Sequence, residues 1–158
     1  MSNIKTNAMR ILDSNDILYN VITYETKDGK IDGLSVAKKS NKDPSLVYKT
    51  LVTKGRDNNI FIFVIPVEKE LDLKKAAKVC GEKKIDMIHV KDIKKYTGYI
   101  RGGCSPIGMK KLYPTFINST AESLENILVS GGKIGVQIEL KVEDLKKVTK
   151  AALDDVIE

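Results

Sequence analysis

The sequence has few of the residues that build metal centres and disulfide frameworks. Its 158 residues include two cysteines, Cys80 and Cys104, and a single histidine, His89. The cysteines stand far apart without a C-x-x-C pair, and His89 has no neighbouring Cys, Asp or Glu in a metal-ligand pattern. These absences argue against a zinc ribbon, a thiol redox motif and a bound metal or cofactor, and we expect both cysteines to be free thiols.

Common catalytic and nucleotide-binding signatures are also missing. No G-x-S-x-G motif is present, and a Ser-His-Asp triad would have to use His89. The glycine-rich segment 130–135, SGGKIG, does not match the G-x-x-x-x-G-K-[ST] pattern of P-loop NTPases, and its ordinary explanation is a hairpin turn. The sequence therefore disfavours both a triad hydrolase and a P-loop NTPase.

Long apolar runs are absent as well. The longest, at residues 60–67, is far shorter than the ~20 residues that cross a membrane. The first residues, MSNIKTNAMRIL, lack the apolar core of a signal peptide. We therefore expect a soluble, cytoplasmic protein, and a chain of this length, with 42% hydrophobic and 30% charged residues, fits one domain over residues 1–158.

Lysine is abundant, and it is unevenly distributed. Basic residues outnumber acidic ones 27 to 21, which gives a formal net charge of +6. If folding brings the lysines of the central part to one side, they form a phosphate-contacting surface for nucleic acid with little base readout. The alternative is a set of solvated helix faces. These lysines are Lys69, Lys74, Lys75, Lys78, Lys83, Lys84, Lys91, Lys94, Lys95, Lys110 and Lys111.

Hydrophobic periodicity predicts a mixture of strands and short helices. The predicted helices cover residues 3–15, 33–40, 71–80 and 143–150 with the remaining tail, and short helical turns follow 92 and 120. The predicted strands cover residues 18–24, 47–53, 60–66, 87–90, 115–118, 127–129 and 134–140. Turn sequences at 55–59 (GRDNN) and 130–133 (SGGK) indicate two antiparallel hairpins. Because strands and helices do not alternate regularly, the pattern predicts an α+β fold with a curled, mixed sheet.

A loop at residues 97–111, TGYIRGGCSPIGMKK, is the most informative stretch. Its glycines, with Pro106, cannot form a stable helix or a central strand. The adjacent Gly102 and Gly103 leave backbone N–H groups uncovered, while Arg101 and two lysines add positive charge. The loop is suited to hold an anionic or carbonyl-bearing ligand against the main chain. A tight structural turn is the alternative.

Two further side chains each allow two interpretations. Lys49 lies within the strand sequence VYKTLV, on the same apolar face as Val47 and Leu51. It either protects an edge strand and reaches solvent, or points into a cavity that receives an anion. Cys104 could be a nucleophile if Arg101 and the loop amides lower its pKa, but no base adjoins it, and a small side chain fitted between neighbours is the alternative.

Several segments together resemble the YbaK/EbsC family, free-standing relatives of the editing domain inserted in bacterial prolyl-tRNA synthetases. The resemblance spans nearly the whole chain, and residues 102–106 fit the family's G-x-x-x-P signature. Two departures are a segment at 27–33 that is shorter than in some members, and Gln137 where some members carry an acidic residue. The matching segments are TNAMRIL at 6–12, Tyr24, VYKTL at 47–51, LDLKKAAK at 71–78, the loop at 97–111, and VSGGKIG at 129–135 with the following IEL.

The resemblance implies a mixed, barrel-like sheet flanked by helices and the hydrolysis of mischarged aminoacyl-tRNA, above all Cys-tRNA(Pro). It implies aminoacylated tRNA as partner, recruitment by prolyl-tRNA synthetase as a possibility, and no cofactor. By matching position, Lys49 corresponds to the family's essential lysine and Tyr24 to its pocket tyrosine. The positions expected around the scissile ester are Gly98, Gly102 and Pro106, with Arg101 beside them and Ser130 and Gly131 in a second loop.

The absence of a catalytic triad is consistent with this resemblance. An aminoacyl ester is already activated, so positioning and main-chain N–H donors to the oxyanion could supply most of the rate. The family resemblance implies that the thiol of a cysteinyl ester attacks its own carbonyl. Two alternatives stay open: a non-catalytic tRNA- or nucleotide-binding regulatory module, and a deacylase that prefers Ala-tRNA(Pro).

Overall fold

The computed structural model describes residues 5–158, and these form five α-helices and eight β-strands. The helices are α1 (Asn7–Ser14), α2 (Gly33–Lys39), α3 (Leu73–Cys80), α4 (Ile93–Thr97) and α5 (Val142–Thr149). The strands are β1 (Tyr19–Thr23), β2 (Tyr48–Lys54), β3 (Ile60–Pro66), β4 (Asp86–Met87), β5 (Thr115–Asn118), β6 (Asn126–Lys133), β7 (Val136–Lys141) and β8 (Ala152–Asp154). No helix among the described residues is both long and apolar enough to cross a membrane.

The strands form two sheets. The smaller has the order β1-β7-β6 and is antiparallel, and the larger has the order β4-β2-β3-β5-β8. In the larger sheet β5 runs parallel to both β3 and β8, while β2 is antiparallel to β3. An isolated parallel bridge between Val47 and Leu128 joins the two sheets. The α+β class with a mixed sheet is confirmed, but within residues 5–158 the strands make two open sheets instead of a closed barrel.

Strand β3 is the centre of the larger sheet. All seven of its residues are buried, as expected for a strand that is apolar on both faces. Its antiparallel pairing with β2 confirms the hairpin predicted from the turn at 55–59. One face of the hairpin packs toward α3 and the C-terminal residues, where Phe63 stacks on Phe116 with ring centroids 5.5 Å apart.

Helix α1 begins later than the sequence suggested. Thr6 is its N-cap, and the Thr6 hydroxyl accepts a hydrogen bond from the Met9 amide at 3.2 Å. A side-chain acceptor at this position satisfies one of the free amides at the start of a helix. The predicted helix began at residue 3, and residues 3 and 4 lie outside the described part of the chain.

The prediction of a helical C-terminal tail is wrong. Helix α5 ends at Thr149, its C-cap Lys150 adopts a left-handed conformation with φ of 57°, and β8 follows. The chain pairs with β5 because Val156 becomes fully buried and its amide donates to Asn118 Oδ1 at 3.0 Å. Tertiary pairing of this kind overrides local helix propensity.

The hairpin between β6 and β7 turns at a different place from the predicted one. The SGGK segment at 130–133 is the end of β6, and the turn consists of Ile134 and Gly135. A bulge separates Ser130 from Lys133 in the pairing with β7. The two glycines permit it, since a side chain on Gly131 would approach Val136 Cγ1 to 2.7 Å and Gly132 has φ of +98°.

The contact between Asn118 and the C-terminal segment yields a stability prediction. Replacing Asn118 by Ala leaves the buried Val156 amide without its acceptor, so the free energy of unfolding should fall by about 1–3 kcal/mol. Urea unfolding followed by circular dichroism measures this change. Asn20→Ala, on the exposed part of edge strand β1, is the matched control and should stay within about 0.5 kcal/mol of the wild type. Equal stability of the two variants would contradict the role given to Asn118.

Candidate active site

A small cleft lies where β2, β6, β7 and the glycine-rich loop meet. Its volume is about 120 Å³. It brings together four residues that the sequence singled out, Tyr24, Lys49, Gly102 and Ser130, although they come from distant parts of the chain. The complete lining is Tyr24, Ile31, Gly33, Val36, Val47, Tyr48, Lys49, Thr50, Val67, Gly102, Cys104, Ser130 and Gln137.

Lys49 reaches the cleft from the beginning of β2. Its side chain is 28% exposed, so the amine is only partly accessible to solvent. The Lys49 Nζ atom lies 3.9 Å from Glu70 Oε1, and the Glu70 side chain is 78% exposed. An exposed ion pair at this distance contributes little to stability. A ligand anion could therefore replace Glu70 as the partner of Lys49 at small cost.

The opposite wall comes from the smaller sheet and the residues that follow β1. Tyr24 is buried, and its amide donates to the Gly135 carbonyl at 3.0 Å, which fixes it against the β6–β7 turn. Ser130 and Gln137 are cross-strand partners in β6 and β7. The Ser130 hydroxyl accepts from the Gly132 amide at 3.3 Å, inside the bulge. The bulge therefore determines where Ser130 faces the cleft.

The glycine-rich loop is held by hydrogen bonds from its own side chains. The buried Tyr99 hydroxyl donates to the Ile107 carbonyl at 2.6 Å, and burial raises the pKa of Tyr99 to about 12. The Ile107 amide donates to Ser105 Oγ at 3.2 Å, and the Tyr99 amide donates to Thr97 Oγ1 at 3.0 Å. These bonds leave the loop ordered without any regular secondary structure.

Glycine is required where this loop meets the β6–β7 turn. A Cβ atom on Gly103 would lie 2.9 Å from the Ile134 backbone nitrogen and 3.1 Å from the Lys133 carbonyl carbon. Gly102 adopts φ of +85°, a conformation that other residues rarely take. Main chain thus packs directly against main chain, and this contact places Gly102 in the wall of the cleft.

Two loop residues in the cleft wall have amides that make no hydrogen bond to the protein. Within residues 5–158, the Gly102 and Cys104 amides donate to no protein acceptor, and both residues line the cleft. The Gly103 amide between them is occupied, since it donates to the Ile100 carbonyl at 3.0 Å. A pair of free N–H groups beside an ammonium is suited to bind an oxyanion.

Four of the predicted site residues lie outside the lining of the cleft. Gly98 is the left-handed C-cap of α4, and its amide already donates to the Lys94 carbonyl at 2.9 Å. Arg101 is exposed to solvent, and Pro106 is buried beside Ile11 in a separate small cleft. Gly131 belongs to the bulge, where its carbonyl accepts from Thr6 Oγ1 at 2.6 Å. Their positions are explained by backbone geometry, and the Gly98 N–H is not free to bind a ligand.

Cys104 lies in the cleft but has the wrong protonation state for a nucleophile. Burial raises the pKa of its thiol to about 11, an effect that the hydrogen bond to Thr97 Oγ1 partly offsets. The thiol is therefore protonated at neutral pH, whereas nucleophilic attack needs the thiolate. The environment fits the interpretation of Cys104 as a small, buried wall residue.

Two polar atoms in the cleft were not predicted. Thr50 Oγ1 and Gln137 Oε1 are buried and have no hydrogen-bond partner within residues 5–158. A buried polar atom without a partner costs about 1–3 kcal/mol. Alternation along β7 would place Gln137 in solvent, yet it is 6% exposed, so the hydrophobic pattern could not have revealed it. The only hint was the departure from the family pattern at this position.

The described residues contain no group of three or more His, Cys, Asp and Glu side chains that could hold a metal ion.

Comparisons with known proteins identify the family of the chain. Residues 33–148 match the family model described as the aminoacyl-tRNA editing domain. A protein of Enterococcus faecalis named as a candidate Cys-tRNA(Pro)/Cys-tRNA(Cys) deacylase, EbsC, is 42% identical over 152 residues, which cover 96% of this chain and 93% of the relative.

Solved structures with low sequence identity share the fold. A candidate trans-editing enzyme for prolyl-tRNA synthetase superposes with a TM-score of 0.84 at 18% identity, covering 99% of both chains. A hypothetical protein gives a TM-score of 0.88 at 18% identity, covering 97% of this chain and all of the other. With the family match over most of the chain, these findings show that the protein belongs to the aminoacyl-tRNA editing domain family.

Proposed function

We propose that the protein removes cysteine from mischarged Cys-tRNA(Pro) in trans. The relative in Enterococcus faecalis is named for this activity, and it matches almost the whole chain. The observation that carries the proposal is the cleft itself, in which the Lys49 side chain and the free amides of Gly102 and Cys104 line the same small space. The substrate would place its acyl–ribose ester between them.

The size of the cleft favours a small aminoacyl group. Its volume of about 120 Å³ is well below the roughly 300–1,000 Å³ of sites that enclose a drug-sized ligand. A cysteinyl or alanyl group fits this space, whereas the terminal adenosine must lie at the mouth. Bulky aminoacyl groups are excluded by the walls that Tyr24 and the buried Val47 provide.

Different parts of the protein would hold the phosphate and the carbonyl oxygen of the substrate. Lys49 anchors the ribose-phosphate end, where its ammonium exchanges Glu70 for a phosphate oxygen. The Gly102 and Cys104 amides donate to the carbonyl oxygen as it becomes an oxyanion. Gly102 therefore keeps the role expected from the sequence. Cys104 takes the role expected for Gly98, because the Gly98 amide is already bonded.

The unpartnered atoms suggest where the amino group binds. An α-ammonium is a donor with three protons and needs acceptors. Gln137 Oε1 and Thr50 Oγ1 are buried acceptors without partners in the same cleft. The ammonium would satisfy both, so that the desolvation penalty present in the free protein is removed on substrate binding.

With these contacts made, the substrate supplies the nucleophile. The cysteinyl thiol loses its proton and attacks the ester carbonyl, the bond to the ribose oxygen breaks, and that oxygen takes up a proton as tRNA leaves. Water then opens the cyclic thioester and gives free cysteine. Water is consumed overall, so the reaction is a hydrolysis and not the elimination of a lyase.

The cell biology follows from the substrate. Aminoacyl-tRNA is formed in the cytoplasm, and we propose that the protein acts there, with recruitment by prolyl-tRNA synthetase supplying tRNA selectivity that so small a cleft lacks.

A regulatory module that binds tRNA without turnover is the rival function. Incubation with Cys-tRNA(Pro) and Ala-tRNA(Pro) separates the possibilities: loss of cysteine supports the proposal, loss of alanine alone indicates an alanine-editing enzyme, and tight binding without turnover indicates the module.

Lys49 gives the first test of the proposed site. Lys49→Met keeps an unbranched side chain, one atom shorter, but removes the charge, and deacylation of Cys-tRNA(Pro) should fall by about a hundredfold, the cost of a lost charge-assisted contact. Release of labelled cysteine measures the rate. Lys54→Met at the other end of β2 is the control and should behave like wild type. Normal turnover by Lys49→Met would refute the role proposed for this side chain.

Thr50 and Gln137 give a test in which stability and activity move in opposite directions. Thr50→Val and Gln137→Met remove unpartnered buried polar atoms, so the free energy of unfolding should stay equal or rise. The value of kcat/KM should nevertheless fall by about tenfold for each. Ser40→Ala is the control, because Ser40 Oγ is also buried without a partner but does not line the cleft. Unchanged kcat/KM in both cleft variants would exclude the proposed contact with the amino group.

Cys104 separates substrate-assisted cleavage from covalent catalysis. Cys104→Ser should retain most of the activity, because the wild-type thiol is protonated below its raised pKa of about 11 and takes no part in attack. Alkylation by iodoacetamide should accordingly be slow at pH 7 and accelerate as the pH approaches 11. A folded but inactive Cys104→Ser protein would favour an acyl-enzyme mechanism instead.

A further inference from the structure

The net charge of the protein is concentrated in one segment. Residues 90–114 contain six basic residues and one acidic residue, a net charge of +5 out of the chain's +6. The rest of the chain, with 21 basic and 20 acidic residues, is nearly neutral. The charge is therefore a property of α4 and the glycine-rich loop, and not of the lysine-rich helix α3.

Folding brings the two lysine pairs of this segment together. The Lys110 amide donates to the Thr97 carbonyl at 3.1 Å, and the Lys110 ammonium donates to the Lys95 carbonyl at 3.2 Å. The Tyr113 hydroxyl donates to the Tyr96 carbonyl at 2.7 Å. These bonds lay residues 110–113 along α4. We call the resulting patch the basic face, and its members are the exposed Lys94, Lys95, Lys110 and Lys111.

The cations of the basic face lack counterions. Within residues 5–158 none of the four forms a salt bridge, whereas Lys75 pairs with Asp155 and Lys84 with Asp86 elsewhere on the surface. Like charges gathered in this way repel each other and destabilise the folded state. A surface of this kind is expected where a polyanion supplies the missing charge.

The glycine-rich loop connects the basic face to the cleft wall. Cys104, in the cleft wall, contacts Thr97 at the end of α4, with Sγ 3.9 Å from Oγ1. The Lys110 side chain lies against Gly98, between α4 and the loop. Residues 97–104 therefore join α4, which carries Lys94 and Lys95, to the wall of the cleft.

Aromatic groups lie among these cations. Lys95 Nζ is 5.3 Å from the centre of the Tyr96 ring, and a second cleft, of about 400 Å³, is lined by Tyr96, Lys111 and Tyr113. Lysines interspersed with tyrosines are typical of surfaces that follow a nucleic-acid backbone. Exposed lysines beside half-buried tyrosines offer phosphate contacts but little base readout.

We propose that the basic face binds the sugar-phosphate backbone of the tRNA acceptor stem, next to the aminoacyl end held in the cleft. This deepens the proposed function and rests on it for the identity of the RNA. Affinity for tRNA then comes mainly from the basic face, and the cleft selects the aminoacyl group.

The test removes three charges and compares two substrates. In the variant, Lys94, Lys95 and Lys111 are each replaced by Gln, while Lys110 is kept because it bonds to the backbone of α4. The control replaces Lys74, Lys78 and Lys83 by Gln, three exposed lysines that are likewise outside any salt bridge within residues 5–158. The two variants therefore have the same net charge and differ only in where it was removed.

Binding of uncharged tRNA is measured first, as a function of salt concentration. The basic-face variant should bind at least about tenfold more weakly, and the slope of log affinity against log salt should fall by about 2–3. The control should keep the wild-type slope. An equal loss of tRNA affinity in the two variants, or no loss in either, would overturn the proposal. The basic face would then be expected to bind an acidic protein.

Turnover then separates this proposal from the function proposed above. For Cys-tRNA(Pro) the basic-face variant should have a KM at least about tenfold higher, whereas hydrolysis of cysteinyl-adenosine, which has no stem, should be unchanged. Equal loss on both substrates would mean damage to the cleft and would contradict the assignment. If the wild type deacylates neither substrate, the proposed deacylase function is wrong. The salt dependence of tRNA binding would still show whether the basic face binds tRNA.

Discussion

The close approach of two backbone segments, one from the glycine-rich loop and one from the β6–β7 turn, is the contact on which the site depends. A Cβ atom on Gly103 would lie 2.9 Å from the Ile134 nitrogen, so this approach is possible only without a side chain. The contact places the neighbouring Gly102 and Cys104 in the wall of the cleft that Lys49 also lines. Backbone packing therefore determines which loop residues line the cleft.

The same loop connects binding and chemistry. Its N-terminal end is the end of α4, which supplies two lysines of the basic face, and its middle supplies the free amides. Cys104 is also in contact with Thr97, so the cleft wall packs against the end of α4. The buried Thr50 and Gln137 oxygens, which have no partner within residues 5–158, are the acceptors that the proposed substrate would use.

Local patterns predicted most of the fold. The apolar run of β3, the turn at 55–59 and the end of α3 at residue 80 all appear where the sequence placed them. The tail was mispredicted because its pairing with β5 depends on a distant side chain, Asn118. The position of the β6–β7 turn was mispredicted. Gly131 and Gly132, which local propensity assigns to the turn, form a bulge within β6. In both cases contacts between distant parts of the chain determine the structure, and local propensity does not reveal them.

The candidate site was predictable in part. The family pattern identified Tyr24, Lys49, Gly102 and Ser130, and these four share the cleft. It could not distinguish a glycine with a free amide from Gly98, whose amide is consumed by a helix cap. Nor could it identify Thr50 and Gln137, since the lack of a hydrogen-bond partner becomes visible only when all neighbours are in place.

The proposed mechanism requires that main-chain amides donate hydrogen bonds to the ester carbonyl and that no protein nucleophile attacks it. Nuclear magnetic resonance of isotope-labelled protein, titrated with a non-hydrolysable amide analogue of cysteinyl-adenosine, tests it most directly. The account predicts that the Gly102 and Cys104 amide protons shift downfield and become protected from exchange, while those of Gly98 and Gly103, already bonded in the free protein, change little. Large changes at Gly98 with none at Gly102 and Cys104 would contradict it.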